Sequence, residues 1–251
     1  IYSRPRSNYI HPLYGLAGEW MTEDWPVDHP HHRGIYWAWP EVDYLGERGD
    51  LHALQRVFAC PTGRYRVTDG PVFAEILAES LWRWELAEPM VQEWTRIRAY
   101  RRSAAGRCID LTFYITALKQ PVLLARRGTN LYGGLNMRLS AIERQKFVHH
   151  TQGKQAWAGA FGVFPGAKEA GGLLIFPHAE NPHHPPDWVE YPNLNWIQPP
   201  FPAAGVRYEL KPGKPLTLRY RLWVWNGEEP PQDVWQAHWN AYHLAVTGGE
   251  T

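Results

Sequence analysis

The chain has 251 residues, of which 44% are hydrophobic and 20% are charged, and its formal net charge at pH 7 is +1. This mixture is typical of a folded globular domain and excludes wholesale disorder. The near-neutral charge argues against a nucleic-acid partner, which requires a basic face, and no stretch approaches the roughly 18 apolar residues of a membrane span. We therefore expect one domain over residues 1–251, without a nucleic-acid or membrane partner.

The chain reads mainly as β-strands. Residues 109–117 carry the clearest signal, because alternate positions are apolar there. Gly or Pro occurs at most of the junctions between the predicted strands. In chain order, the predicted strands lie near 64–68, 72–84, 91–101, 109–117, 131–141, 172–177 and 216–225. The sequence therefore predicts an all-β fold.

One helix is predicted at the C-terminal end. After Pro230–Pro231, the segment from Asp233 places Trp235 and Trp239 at helical spacing. We expect this helix to cap an edge or an end of the sheet. The preceding strand has an amphipathic outer face, which carries Arg219, Arg221, Trp223 and Trp225.

Three regions escape the strand pattern, namely residues 8–40, 143–170 and 177–205. Loops of this length in a compact domain are usually functional, so we expect the chemistry to lie there. The two cysteines, Cys60 and Cys108, allow at most one disulfide and cannot supply a four-thiolate zinc site. The chain begins at Ile1 rather than at Met, so the lack of a signal peptide leaves both cytoplasm and export open.

The first irregular region holds the densest cluster of polar side chains, Asp28-His29-Pro30-His31-His32-Arg33-Gly34. A histidine exchanges protons near neutral pH, and Arg33 is a permanent cation suited to an anion. An extended backbone would place His29 and His31 on one side and His32 on the other. Two histidines on one side, together with a carboxylate such as Asp28 or Glu23, approach a metal-binding facial triad; they equally suit acid–base chemistry around a sugar ring.

The Pro-rich region 177–205 predicts a stiff wall for a binding cleft, because proline fixes the backbone. His178 directly follows a predicted strand, a position that aims a side chain into a site. Asn181 and Trp188 of the same loop are candidates for contact with the substrate. His11, Trp37, Trp39 and Arg138 are further candidates. No motif of a serine hydrolase, P-loop enzyme or helical zinc protease occurs.

The composition is unusual in having 14 Trp and 12 His but only 8 Phe. A tryptophan ring suits a surface that is half apolar and half wet, because its N–H group needs a partner. Sugar-binding clefts have that character. The alternative is a Trp-rich core.

Several segments resemble those of the bacterial family DUF6807, whose members often carry the automatic label methane oxygenase PmoA. The run His29-Pro30-His31-His32-Arg33 is the most specific part of the resemblance. The matching segments are Tyr9–Leu13, Asp28–Gly34, Arg107–Phe113, Leu131–Arg138, Phe176–Trp188 and Pro199–Phe201. The sequence departs from the family at Arg127-Gly128-Thr129-Asn130, where the family tends to show Lys-Glu-Gly.

This resemblance implies an antiparallel β-sandwich with long functional loops, similar to the galactose-mutarotase-like supersandwich. Enzymes of that fold place histidines and a carboxylate around an aldose in an open, aromatic-lined cleft. The likeness is at the level of fold, and function depends on the site that a fold carries. The PmoA label does not transfer as a function, because a methane monooxygenase subunit spans the membrane and this chain has no span.

Three hypotheses of function follow. The leading one is a carbohydrate-active enzyme of epimerase, mutarotase, lyase or glycosidase type, with His29 or His31 and His178 exchanging protons and with no cofactor. In that scheme Arg33, assisted by Arg138, steadies negative charge, while Trp37, Trp39 and Trp188 stack on a small carbohydrate. The second is a zinc or iron enzyme, with the metal on His29, His31 and either a carboxylate or His178. The third is a non-catalytic glycan-binding module, and the oligomeric state stays open in all three.

Overall fold

The computed structural model describes Arg6, residues 8–150 and residues 156–244. Its strands in chain order are β1 (Tyr9–Ile10), β2 (Ile35–Ala38), β3 (Glu41–Tyr44), β4 (Glu47–Gly49), β5 (Val57–Asp69), β6 (Phe73–Trp84), β7 (Glu88–Tyr100), β8 (Arg107–Ala117), β9 (Val122–Ala125), β10 (Gly134–Arg138), β11 (Glu143–His149), β12 (Ala158–Val163), β13 (Gly171–Pro177), β14 (Val189–Tyr191), β15 (Trp196–Gln198), β16 (Tyr208–Leu210) and β17 (Leu216–Asn226). Helix α1 spans Gln232–Leu244, and short 3-10 turns cover Arg127–Thr129 and Pro192–Leu194.

The strands form three sheets in which every named pair is antiparallel. The largest has the order β11-β12-β13-β17-β8-β7-β6-β5. A five-stranded sheet has the order β1-β2-β10-β15-β14, and a four-stranded sheet the order β16-β9-β3-β4. The predicted all-β antiparallel sandwich with one C-terminal helix is confirmed.

The main core lies between the eight-stranded sheet and the smaller sheets. The apolar set that alternates along β8 faces it, so Leu111, Phe113 and Ile115 are almost completely buried. The Trp37 ring of β2 packs 4.5 Å from Phe113, measured between ring centroids. The Trp37 indole N–H donates to the buried Glu93 of β7 over 2.7 Å. Packing and a buried hydrogen bond therefore hold the two layers together.

Helix α1 covers a face of the large sheet rather than an edge or an end, which corrects the expectation from the sequence. Trp235 and Tyr242 of the helix are buried in a second apolar cluster with Trp223 and Trp225 of β17. The two strand tryptophans point away from the main core and offer the apolar surface that the helix needs. Within the described residues, no helix combines the length and apolar character that a membrane crossing requires.

Two described segments of region 143–170 are strands rather than loop, because they contribute β11 and β12 to the large sheet. The sequence of β12 is Ala-Gly-Ala-Phe-Gly-Val, and such small residues give a weak strand signal. Gly159 is required by close packing, since a Cβ atom there would lie 2.0 Å from the Leu173 carbonyl oxygen of β13. Strand β2 escapes detection for another reason: all its residues are buried on both faces, so no polar alternation exists.

Candidate functional site

The five-stranded sheet presents a polar and aromatic layer on the face opposite the main core. Its core face carries Ile35, Trp37, Leu135, Met137 and Ile197. The alternate positions lie on the other face, where Tyr36 pairs with Asn136 and Arg138 pairs with Trp196 across the strands. Loops that follow β1 and β4 cover this face. The polar side chains of this layer are therefore buried between the strands and the covering loops.

Three histidines reach this layer from a tight turn. The backbone N–H of His32 donates to the carbonyl oxygen of His29 over 2.9 Å, so the segment folds back instead of running extended. The expected separation of His32 from the other two is therefore wrong. His32 stacks on His29 with 4.7 Å between ring centroids, and His31 meets His32 edge-on at the same distance.

A fourth histidine, His52, enters from the loop between β4 and β5. That loop is closed by paired backbone bonds between Asp50 and Gln55, and the Asp50 carboxylate accepts the Ala53 N–H over 2.7 Å. The His52 ring lies 5.1 Å from His31 and 5.5 Å from His32. Its Nε2 atom is 3.0 Å from the hydroxyl oxygen of Tyr36. A short-range loop and a strand side chain thus hold this ring in place.

His31, His32 and His52 have the spacing of metal ligands. Each offers one ring nitrogen, and these three atoms lie within 4.8 Å of one another. Two nitrogens bound to one tetrahedral zinc ion are separated by about 3.4 Å, so the three nitrogens are close enough together for one ion to be shared among them. Among the described residues, neither His29 nor His178 belongs to this group.

The protonation states of these rings favour metal binding. Burial and the neighbouring Arg6 guanidinium lower the pKa of His31 to about 4. Burial and the adjacent His31 lower the pKa of His32 to about 2, and burial also holds the pKa of His52 well below its usual range. All three rings are therefore neutral at pH 7, and a neutral imidazole keeps the lone pair that ligates a metal.

Arginines and carboxylates frame the histidines. The Arg138 guanidinium donates to Glu23 over 2.9 Å and to both oxygens of Asp28 over 3.0 Å. Asp28 in turn lies 3.3 Å from His29 Nδ1. Although burial acts to raise the pKa of Asp28, hydrogen bonds from His29 and Arg138 hold it below its usual value. Arg127 pairs with Asp50 on the other side of the cluster.

The layer holds a concentration of buried polar atoms that lack hydrogen-bond partners among the described residues. They include Arg6 Nε and Nη1, His32 Nδ1, His52 Nδ1, Asn136 Oδ1, Arg138 Nη1, Trp196 Nε1 and Gln198 Nε2. Each such atom costs about 1–3 kcal/mol when it is left unsatisfied. Native proteins contain few of them, and a cluster requires an explanation such as a bound ion or ligand. These residues therefore fit a site that receives a polar guest.

Aromatic rings border the histidines on one side. Tyr132 lies 4.9 Å from His52 and 5.3 Å from Trp196, and Tyr191 stacks on Trp196 at 5.1 Å. Trp196 is buried, whereas Tyr132 and Tyr191 are half-buried. Half-buried tyrosine rings combine an apolar surface with a polar tip, which suits contact with a sugar.

His178 and Asn181 lie in a different cluster. His178 stacks on His243 of α1 at 4.6 Å and meets the Tyr242 ring edge-on at 5.1 Å. The Asn181 side chain exchanges two hydrogen bonds with the Arg219 backbone of β17, at 2.7 and 2.8 Å. The structure therefore places neither residue with the histidines of the first cluster. A site that combines His31 and His178, as expected from the sequence, is not formed.

Trp37 and Trp39 also take a role that differs from the expected one. Both rings are buried in the main core, 4% and 0% exposed respectively. The Trp39 N–H donates to the Phe201 carbonyl oxygen over 2.8 Å. A ring that is buried in the core cannot stack on a sugar, because no ligand can reach its face. The Trp-rich composition serves the core at these two positions.

The remaining predicted residues lie near the layer or against the core. Arg33 follows His32 directly, but its guanidinium donates to Asp24 and to the Tyr9 hydroxyl group. His11 Nδ1 lies 2.9 Å from the Thr22 hydroxyl oxygen. Trp188 is partly buried against the main core. Of the predicted set, the cluster brings together His29, His31, His32 and Arg138.

Sequence reasoning missed His52, Tyr36, Trp196, Arg6 and Arg127. None of them stands in a recognisable motif, and His52 is a lone histidine in a short loop. They join the histidine cluster because separate loops converge on one face of the five-stranded sheet. The unusual number of histidines in the chain was the available signal, but it does not say which of them meet.

The family model described as "Family of unknown function (DUF6807)" matches residues 2–240. The chain belongs to this family. The predicted family is thereby confirmed. No curated protein matches the sequence. Among solved structures, the chain is similar to a "Putative kojibiose phosphorylase from human microbiome", with 7% sequence identity and a TM-score of 0.42. The match covers 86% of this chain and 26% of that one, and a likeness at this level carries no information on function.

Proposed function

We propose that this DUF6807 protein is a metal-dependent enzyme whose ion is held by His31, His32 and His52. The observation that carries the proposal is the spacing of their ring nitrogens, which lie within 4.8 Å of one another. Three protein ligands with further positions open to water or substrate are typical of a catalytic zinc centre. An all-imidazole set also suits copper, iron and nickel. When bound, such an ion activates water or polarises a substrate oxygen.

The residues around the ion would orient its ligands. Metal-bound histidines usually bond through their second ring nitrogen to a protein group that fixes the ring. Tyr36 supplies that group for His52. With Nε2 engaged in this way, Nδ1 of His52 is the nitrogen left for the ion, and it has no other hydrogen-bond partner among the described residues.

The substrate class that we propose is a carbohydrate. Support comes from two half-buried tyrosine rings, Tyr132 beside His52 and Tyr191 beside Tyr132, which would contact the apolar face of a sugar. The unsatisfied donors Trp196 Nε1 and Gln198 Nε2 lie on the same sheet face and would bind hydroxyl groups. A polyhydroxylated substrate uses both kinds of contact.

The test is elemental analysis of the untagged protein purified without chelators, repeated after incubation with zinc, iron(II) or copper(II). We expect about one ion per chain, and its loss in His52→Ala. His183→Ala is the matched control, because His183 is exposed and lies outside the cluster. Absence of stoichiometric binding for every ion tested would refute the metal centre.

A second candidate is metal-free acid–base chemistry on a sugar, of the epimerase, mutarotase, lyase or glycosidase type. One observation favours it: His29 Nδ1 lies 3.3 Å from the Asp28 carboxylate, and about two-fifths of each side chain is exposed. An imidazole oriented by a carboxylate is a general base arrangement. If chelator-treated protein turns over a sugar in NMR screening and His29→Ala loses about 10²–10⁴-fold of the rate, this candidate replaces the first.

A further inference from the structure

We propose that the substrate of this site carries a carboxylate group and that Arg6 binds it. The inference rests on the proposed function, since it concerns the same cluster, and it narrows the substrate class to a sugar acid.

Arg6 is buried and contacts His52, one of the three proposed metal ligands. Arg6 is 3% exposed, and its Nη2 group donates to the backbone carbonyl oxygen of His52. The guanidinium carbon lies 4.7 Å above the Tyr36 ring. A ligand that reached this guanidinium would therefore lie next to His52 and Tyr36.

Two groups of the Arg6 guanidinium, Nε and Nη1, have no hydrogen-bond partner among the described residues. A buried cation with unused donors is unfavourable unless a partner completes its hydrogen bonds. The partner must accept hydrogen bonds, and a negative charge on it makes those bonds stronger. An anionic oxygen group of the substrate meets both requirements.

The neighbouring arginines pair with carboxylates, whereas Arg6 forms no ion pair with any carboxylate of the described residues. Arg33 pairs with Asp24, Arg127 pairs with Asp50, and Arg138 pairs with two carboxylates as described above. Asp50 attracts Arg6 at longer range. However, its two oxygens accept from the Ala53 N–H and from Arg127, so its hydrogen-bonding capacity is directed elsewhere.

A carboxylate fits this arrangement better than a phosphate. Phosphate sites typically gather several cations or a series of backbone N–H groups. Within the described part of the chain, Arg6 has no ion-paired carboxylate, whereas the charge of Arg138 is offset by Glu23 and Asp28. One negative charge beside Arg6, together with a sugar ring against Tyr132 and Tyr191, describes a uronic acid or a related sugar acid.

The experiment is calorimetric titration of the zinc-incubated protein at pH 7 with four probes: D-glucuronate, acetate, D-glucose and inorganic phosphate. Arg6→Gln removes the charge, and Arg6→Lys keeps it. Arg66→Gln is the matched control, because Arg66 is exposed on β5 and its substitution changes the net charge by the same amount. We expect glucuronate and acetate to bind the wild type and Arg66→Gln equally. Arg6→Gln should weaken both at least about tenfold, with Arg6→Lys in between and glucose affinity little changed.

A measurement on the wild type keeps the test decisive if Arg6→Gln does not fold. In protein labelled with ¹⁵N-arginine, glucuronate should shift one Nε–H resonance and slow its exchange with solvent, and glucose should not. The proposal is overturned if no carboxylate binds, if binding is unchanged in folded Arg6→Gln, or if phosphate binds more tightly than both carboxylates.

Metal content separates this proposal from the proposed function. Arg6→Gln should retain the metal stoichiometry of the wild type, because Arg6 is not one of the three ligands. Carboxylate binding that depends on Arg6 in a protein without metal would sustain the anion site and refute the metal centre. Stoichiometric metal binding in a protein that binds no carboxylate would sustain the metal centre and refute the anion site.

Discussion

The hydroxyl oxygen of Tyr36 lies 3.0 Å from Nε2 of His52, and this contact joins strand β2 to a loop residue sixteen positions further along the chain. Tyr36 is completely buried and His52 is 1% exposed. Burial raises the pKa of Tyr36 well above its usual value, so the phenol stays protonated. The bond therefore engages Nε2 of His52, while Nδ1 has no hydrogen-bond partner among the described residues.

The first prediction concerns this bond. Tyr36→Phe keeps the ring and removes the hydroxyl group, so His52 loses the partner that fixes its orientation. We expect metal affinity to fall about 10–100-fold, measured by competition with a chromogenic chelator. Tyr208→Phe is the control, because that ring packs against Phe201 and His183 away from the cluster. Equal affinity in the two variants would show that Tyr36 does not support a metal ligand.

The second prediction concerns stability and metal. An ion that binds the folded state alone stabilises it by about 2.7 kcal/mol at a concentration 100 times its Kd, which raises Tm by about 5–10 °C for a chain of this size. We expect zinc to produce such a shift in the wild type and none in His52→Ala. Thermal melts with zinc and with excess chelator measure the difference. An identical shift in both proteins would place the bound ion elsewhere.

The third prediction concerns Glu93 in the main core. Its carboxylate accepts the indole N–H groups of Trp37 and Trp82, each over 2.7 Å, and the Thr95 hydroxyl group over 2.9 Å. Burial raises the pKa of Glu93. Glu93→Ala opens a cavity and leaves three donors unsatisfied, so we expect a loss of about 3–5 kcal/mol in the free energy of unfolding.

Denaturant unfolding monitored by tryptophan fluorescence measures that loss. Glu88→Ala on the same strand is the control, because Glu88 is exposed and its pairing with Lys119 spans 3.4 Å. We expect the control to change stability by less than about 1 kcal/mol. A Glu93→Ala protein as stable as this control would mean that the buried carboxylate does not hold the two layers together.

The fourth prediction concerns acid sensitivity at His178. Burial and the nearby His243 of α1 lower the pKa of His178 to about 4, with Arg219 of β17 and His184 of the same loop acting in the same direction and Glu180 opposing them. Between pH 6.5 and about 4, the unfolded chain binds a proton that the folded state does not. The free energy of unfolding therefore decreases as the pH falls through this range, by on the order of 2 kcal/mol from this residue.

His178→Gln should reduce the slope of that part of the pH profile by the share of one residue, because the variant lacks the His178 imidazole while His31, His32 and His52 still contribute. Chemical denaturation at intervals from pH 8 to pH 4 measures the slope. His183→Gln, at an exposed position of the same loop, should keep the wild-type slope. A profile for His178→Gln parallel to that of the wild type would show that other groups cause the acid sensitivity.

Much of the fold can be predicted from the amino-acid pattern alone. Strands with a solvated or helix-covered face, such as β8 and β17, show the alternation that predicts them. The helix from Gln232 to Leu244 was visible from its tryptophan spacing. Strand β2 was not, because loops bury its second face and remove the polar alternation. Strand β12 was not, because close packing selects small residues there.

The same division holds for the site. The cluster His29, His31 and His32 is contiguous in sequence, so residue type and proximity identify it without any structure. His52 and Arg6 join it only through tertiary structure, since a turn, a loop and a terminal segment converge on one sheet face. The tertiary structure also places His178 away from this histidine cluster. Side-chain chemistry is local and can be read from the chain; which side chains share a site depends on long-range strand pairing and burial, which local sequence does not encode.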